Sequence, residues 1–245
     1  MRDLTDIKQE LYKLSALTDR GQRLNKLIAS IYQEKLNELE LLINDLKSHK
    51  NTISEDLLNG EWELIFSNVE LFRSSPFFLA IESAFNNKFK SDLFFKLHQL
   101  QVGSFGLSTI GRISQKINFN NKEIISTFDT IIFGLTTIPI LGWFKLLPTF
   151  GGCVTTLADE LTLKEDKLKM TLQKTKVTKV EGLNKIPIFS GFLMDRWYPV
   201  KYIWERLPWN KAQPTCELSI IFIDEDIRVM SDIYGSIFIY TKVSI

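Results

Sequence analysis

The sequence predicts a mainly β protein. About eight antiparallel strands form a closed barrel or sandwich, a pair of amphipathic helices precedes them, and one more helix lies between the first two strands. Three observations carry this. Apolar residues recur at helical spacing from Leu4 to Leu46. Beyond Leu100 they alternate with polar ones in segment after segment. Short polar turns join most of those segments. A chain of 245 residues has room for one such domain with a helical appendage. The predicted boundaries are 1–50 for the helical pair and 54–245 for the barrel.

The first helix follows Leu4, Ile7, Leu11, Leu14 and Leu17. Thr18-Asp19-Arg20-Gly21 ends it, with glycine suited to a C-terminal cap. The second runs through Leu24, Leu27, Ile31, Leu36, Leu39, Leu42, Ile43 and Leu46. The pair packs together or lies against the barrel. A membrane-surface role is weaker, because the polar faces mix both signs of charge.

The organising stretch is Asn59–Ala80. Asn59-Gly60 is a turn dipeptide. Glu61 to Ser67 then alternate, which points Trp62, Leu64 and Phe66 inward. These three either fill a core or line a cavity. Ser75-Pro76 opens a helix expected to reach about Phe89, carrying Phe77, Phe78, Ile81 and Phe85 as a stripe. That stripe either packs across the barrel end or acts as a lid.

Further strands are expected at 106–119, 123–133, 154–163, 168–177, 216–223, 227–231 and 236–243. Two connections, 131–152 and 182–214, are long and unusually apolar. They hold Trp143, Phe144, Phe189, Trp197 and Trp209, and such loops need a partner surface. The first is uncharged from Thr130 to Phe144, a stretch too short and too interrupted by Gly and Pro for a transmembrane helix.

Net charge is +1, too small for a nucleic-acid binder held by bulk electrostatics. Two cysteines without a CxxC, and no histidine at ligand spacing, argue against a metal site. Gly-x-Ser-x-Gly and phosphate loops do not occur. Gly151-Gly152-Cys153 lacks a histidine partner, and Asp159-Glu160 would point to opposite faces of a strand. No catalytic residue is expected, and the chain reads as a non-enzyme. Arg228, after Asp224-Glu225-Asp226, is either half of a turn-stabilising ion pair or a polar anchor for a ligand.

Leu58-Asn59-Gly60-Glu61-Trp62-Glu63-Leu64-Ile65-Phe66-Ser67 resembles the L-x-G-x-W-x-L-x-Y-[ST] opening of the plastid lipid-associated proteins, also called fibrillins or plastoglobulins. In order, Thr18-Asp19-Arg20-Gly21, Glu70–Phe78, Gly111–Ile117, Ile223–Val229 and Gly235–Ile239 resemble further family segments. Ser231 stands where the closing motif has a second arginine, and Phe66 and Phe222 where tyrosine is common. The resemblance implies a lipocalin-like barrel, peripheral to thylakoids or lipid droplets of plastids or cyanobacteria. It implies binding of a prenylquinone, carotenoid or similar apolar lipid, with no other cofactor. Trp62, Leu64, Phe66, Phe77, Phe78, Phe85, Phe222 and Arg228 are the expected ligand residues. Trp143, Phe144, Phe189, Trp197 and Trp209 are the expected membrane contacts. The chain begins directly on a helix pattern, so it needs no import or has lost a leader. Alternatives are a barrel handling a tetrapyrrole, as some lipocalin-type lyases do, and a scaffold whose N-terminal helices hold a biosynthetic enzyme.

Overall fold

The computed structural model describes residues 2–24, 29–49, 52–85, 87–104, 107–133, 135–137, 144–146, 150–181, 196–205 and 213–243. Strands β1 (Gly60–Ser67), β2 (Leu107–Asn118), β3 (Glu123–Phe133), β6 (Phe150–Lys164), β7 (Lys167–Glu181), β8 (Thr215–Ile223), β9 (Ile227–Ser231) and β10 (Ile237–Lys242) close into an antiparallel barrel. Its order is β1-β10-β9-β8-β7-β6-β3-β2. Each expected strand is present within a few residues. A small hairpin, β4 (Leu135–Thr137) with β5 (Phe144–Leu146), occupies part of the first long connection. The short helix α6 (Val200–Glu205) occupies part of the second.

Helices α1 (Leu4–Leu17) and α2 (Ala29–Ser48) lie on the outside of the barrel. Ile7, Leu11, Leu14, Leu39, Leu42, Ile43 and Leu46 bury against Phe66, Phe222, Ile227, Val229 and Ile239. The barrel wall therefore has apolar residues on both faces at β1, β8, β9 and β10. A separate interior cluster holds Trp62, Leu64, Ile113, Ile117, Leu168, Met170, Leu218, Ile220, Met230, Phe238 and Tyr240.

Strict alternation puts Phe66 with Trp62 and Leu64. The structure puts it on the opposite face. The β1–β10 register shifts between Leu64 and Phe66, so an extra residue is accommodated there and the side-chain sense reverses. The carbonyl of Ile65 accepts a hydrogen bond from the hydroxyl of Ser15 on α1. A second shift, between Ile220 and Phe222 in the β8–β9 pairing, turns Phe222 outward in the same way. Both rings pack under the N-terminal helices.

The Thr18–Gly21 junction stitches α1 to the barrel. Asp19, Arg20 and Gly21 are all left-handed, at φ 51°, 56° and 87°. The Arg20 guanidinium donates to the carbonyls of Ile110 and Gly111, both at 2.7 Å, where β2 itself shifts register. The Arg20 carbonyl accepts from the Ser67 amide at 3.0 Å. A Cβ on Gly21 would lie 1.9 Å from the Ser67 carbonyl oxygen. Gly21→Ala should therefore cost about 2 kcal/mol or more, from strain and steric displacement together. Urea unfolding checks this, and an unchanged midpoint would show that the junction relaxes freely.

The helix expected from Pro76 to about Phe89 is two helices, α4 (Pro76–Ala84) and α5 (Lys88–Ser104). A one-turn 3₁₀ helix, Leu71–Ser74, precedes them. At the opposite end of the barrel, α3 (Glu55–Leu58) covers the floor, and Trp62 Nε1 donates to the Leu58 carbonyl at 2.9 Å.

Candidate interior ligand site

The barrel interior is apolar except for a short polar belt. Gln115 on β2, Ser126 on β3 and Thr156 on β6 are consecutive cross-strand neighbours, and all three are buried. Arg228 on β9 and Tyr240 on β10 are paired across the seam and fully buried. Alternation along β9 sends Ile227 and Val229 out under the helices and Arg228 and Met230 in.

Arg228 makes no ion pair with the acidic turn beside it. Asp224 and Asp226 instead hold Lys8 of α1, at 2.7 and 2.8 Å. The turn carboxylates lie on the outside, one strand face away from the guanidinium. This overturns the ion-pair reading of Arg228. Arg228 Nη2 donates to Gln115 Oε1 at 2.7 Å. Its guanidinium carbon sits 4.9 Å from the Trp62 ring centroid and 4.2 Å from that of Tyr240. Among the described residues, Nε and Nη1 have no hydrogen-bond partner, while the Tyr240 hydroxyl interacts with the Ser74 and Gln115 side chains. Among the described residues no carboxylate pairs with Arg228. Burial pulls its pKa down to about 10, with Tyr240 acting in the opposite sense, so the group stays charged at neutral pH. Burial pushes the Tyr240 phenol up to about 12.

An uncompensated charge in an apolar interior is expensive. Two aromatic faces and one amide offset part of that cost. The remaining donors are the groups a ligand's oxygen would satisfy.

The upper end of the interior is plugged from within the chain. Leu71 of the 3₁₀ turn and Leu79 of α4 belong to the interior cluster. The Ser74 carbonyl accepts from Gln115 Nε2 at 3.1 Å, so the plug reaches the polar belt. The face of α4 that enters the barrel is Leu79. Phe77 packs toward Leu172, Val200 and Trp204. Phe78 stacks with Phe72 and Phe95, at 4.7 and 6.2 Å, and Phe85 with Phe94 of α5 at 5.4 Å. The aromatic stripe thus joins the plug to its neighbours and does not line the interior.

Of the expected ligand residues, Trp62, Leu64 and Arg228 come together inside the barrel. Phe66 and Phe222 lie outside it, and Phe77, Phe78 and Phe85 lie behind the plug. Gln115, Ser126, Tyr240 and Leu79 are interior residues absent from the expected ligand set, although the alternation already placed Gln115 on the same side as Ile113 and Ile117. Gln115 and Tyr240 sit in the alternating segments on the same phase as their apolar neighbours, which was the available signal. Of the expected membrane contacts, Trp197 is partly exposed, with the ammoniums of Lys174 and Lys176 each 4.8 Å from its ring. Phe144 lies on β5. Trp143, Phe189 and Trp209 lie outside the described residues. Ser231 lines a cavity of about 380 Å³ between α2 and the strand ends, beside Leu39, Ile43 and Ile237.

Among the described residues, neither cysteine is set up as a nucleophile. Cys153 lies on β6 beside the register shift between Gly151 and Cys153 in the β6–β7 pairing, and burial raises its pKa. Cys216 is buried and is pushed up to about 12 for the same reason.

A closed eight-stranded antiparallel barrel with a plugged mouth and an N-terminal helical layer defines a lipocalin-like protein. The PAP_fibrillin family model matches residues 5–241, nearly the whole chain, and the chain belongs to that family of plastid lipid-associated structural proteins. No curated protein matches it.

One buried acid cluster holds the plug in place. Arg73 Nη2 donates to Glu82 on α4, and Ser91 Oγ lies 3.5 Å from the same carboxylate. Asp232, in the β9–β10 turn, faces Glu82. Burial and the Asp232 charge raise Glu82 to about 7, against the opposing pull of Arg73. Folded Glu82 thus holds a proton that the unfolded chain releases, between about pH 4.5 and about pH 7. Its contribution to stability is full below that window and is lost as pH rises through it. Urea midpoints of the wild type should drop more than those of Glu82→Gln between about pH 5 and about pH 8. Parallel profiles for the two proteins would contradict this assignment.

Proposed function

We propose that the barrel binds a prenylquinone or similar apolar lipid with a polar acceptor at one end, and that Arg228 anchors that end. The observation that carries this reading is the fully buried guanidinium whose Nε and Nη1 have no partner among the described residues. A carbonyl oxygen accepts from such donors. A pure hydrocarbon such as a carotene leaves them unsatisfied, which favours the quinone within the lipid class. Trp62 and Leu64 line the inner end, and the isoprenoid tail runs toward the mouth along Ile113, Met230 and Phe238. The Ser74 carbonyl accepts from Gln115 Nε2, so the plug occupies the end of the polar belt that a ligand must reach. Loading therefore displaces the Leu71–Leu79 plug, with Phe77, Phe78 and Phe85 moving as part of that cover.

The protein works in this reading as a non-catalytic carrier or organiser at the periphery of thylakoids or lipid droplets. The apolar connections, with Trp143, Phe144, Phe189, Trp197 and Trp209, lie against the lipid. The apolar faces of α1 and α2 are turned onto the barrel, which favours a structural role for them over recruitment of an enzyme.

The test is retention of a short-chain plastoquinone analogue, followed by native mass spectrometry and lipid extraction. Wild type should retain it, and Arg228→Met should bind it roughly tenfold less tightly, the scale of one or two hydrogen bonds to a charged donor. Equal retention by both proteins would remove Arg228 as the anchor. Absence of any lipid from both would remove the lipid-carrying barrel itself.

A further inference from the structure

Helix α5 carries an apolar stripe on the side turned away from the protein. Phe89 is 75% exposed, Leu93 47% and Leu97 56%. They recur every fourth residue. Taking Phe89 as the origin and about 100° per residue, they fall at about 0°, 40° and 80°. Ser91 and Phe95, the buried residues of the helix, centre about 180° from the middle of that stripe. So α5 has two apolar sides. One packs on Arg73, Phe72 and Phe78. The other is about half exposed or more at Phe89, Leu93 and Leu97 when only the described residues are counted.

The edges of the exposed stripe are basic. Lys96 lies about 20° before Phe89, and Lys90 about 20° beyond Leu97. Both are exposed. Lys88 stands on the flank, 5.6 Å above the Tyr234 ring. Asp92 is the acidic residue of this region, half-buried toward the Tyr234 side and away from the stripe.

We propose that α5 seats the protein on an anionic lipid surface. Phe89, Leu93 and Leu97 enter the boundary between headgroups and acyl chains, and Lys90 and Lys96 meet the headgroups on either side. A protein partner is the poorer fit, because lysine is depleted from protein interfaces. At a membrane surface its long stem lies along the apolar face while the ammonium reaches the headgroups. The inference rests on reading the chain as peripheral to lipid, and it names the face that makes contact. Since α5 leads directly from α4 and its buried side holds the plug cluster, seating α5 places the barrel mouth beside the lipid store.

Flotation with two kinds of vesicle tests this: phosphatidylcholine alone, and an equal mixture with phosphatidylglycerol. Wild type should float with the mixture and less with phosphatidylcholine. Phe89→Ser/Leu93→Ser/Leu97→Ser should lower partitioning roughly tenfold or more with unchanged circular dichroism, since these side chains face away from the core. Lys90→Glu/Lys96→Glu should lose only the advantage of the anionic mixture. A Leu93→Cys dye conjugate on a Cys153→Ser background should shift to the blue when vesicles are added. Wild-type flotation that the stripe variants leave intact, or a dye that stays in water, would overturn the role of α5 and leave the peripheral reading standing. If wild type fails to float on either vesicle, both fall. Self-association that the stripe variants abolish, without vesicle binding, would assign the stripe to a second copy of the chain instead.

Discussion

Strand β1 has to serve two apolar layers at once. Its first half faces Trp62 and Leu64 into the barrel, and its second half faces Phe66 out beneath α1 and α2. A regular strand cannot do this, because its large residues on one phase all point the same way. The shift between Leu64 and Phe66 solves the conflict by accommodating one extra residue. It also frees the Ile65 carbonyl, which Ser15 of α1 satisfies. The same helix then ends in the left-handed Asp19-Arg20-Gly21 turn, which holds the far end of β1 and the irregular part of β2. The N-terminal helices are therefore part of the barrel wall's construction.

The interior follows from that arrangement. Once the outer layer takes Phe66 and Phe222, the barrel centre is left to medium-sized residues, a stacked Trp62–Arg228–Tyr240 set and the polar belt. Arg228 is tolerated there because rings and an amide surround it, yet its donors are incompletely used. The plug that covers this space is held by Leu71 and Leu79 in the interior apolar cluster and, behind them, by the buried Arg73–Glu82–Asp232 cluster. The acid cluster, with the Glu82 pKa raised by burial and by Asp232, lies where α4 meets α5. The barrel, its cover and its lipid-facing helix are thus mechanically adjacent.

Much of the fold was legible in the residues. Eight alternating segments bounded by polar turns gave the strands nearly to their ends, because a half-buried strand writes its period into the chain. Helices α1 and α2 showed the helical period for the same reason. The α4–α5 break was hidden, because Phe85–Phe95 is rich in aromatics on more than one side, and helix α5 is apolar on two opposite faces. A single stripe was never there to find. The directions of Phe66 and Phe222 were hidden because register shifts depend on the partner strand.

The sequence by itself determined about eight antiparallel strands of a barrel or sandwich, the helical pair and the family pattern, since local period and turn chemistry act over a few residues. Closure into a barrel was seen only in the structure. Which face each aromatic takes was decided by tertiary structure alone. So was the fate of the 224–226 carboxylates, which are close to Arg228 in the chain and on the other side of the wall in space. The wall of a barrel separates sequence neighbours onto opposite faces and brings Gln115 to Arg228 from far along the chain. Only closure of the sheet makes that pairing, and the candidate site consists of it.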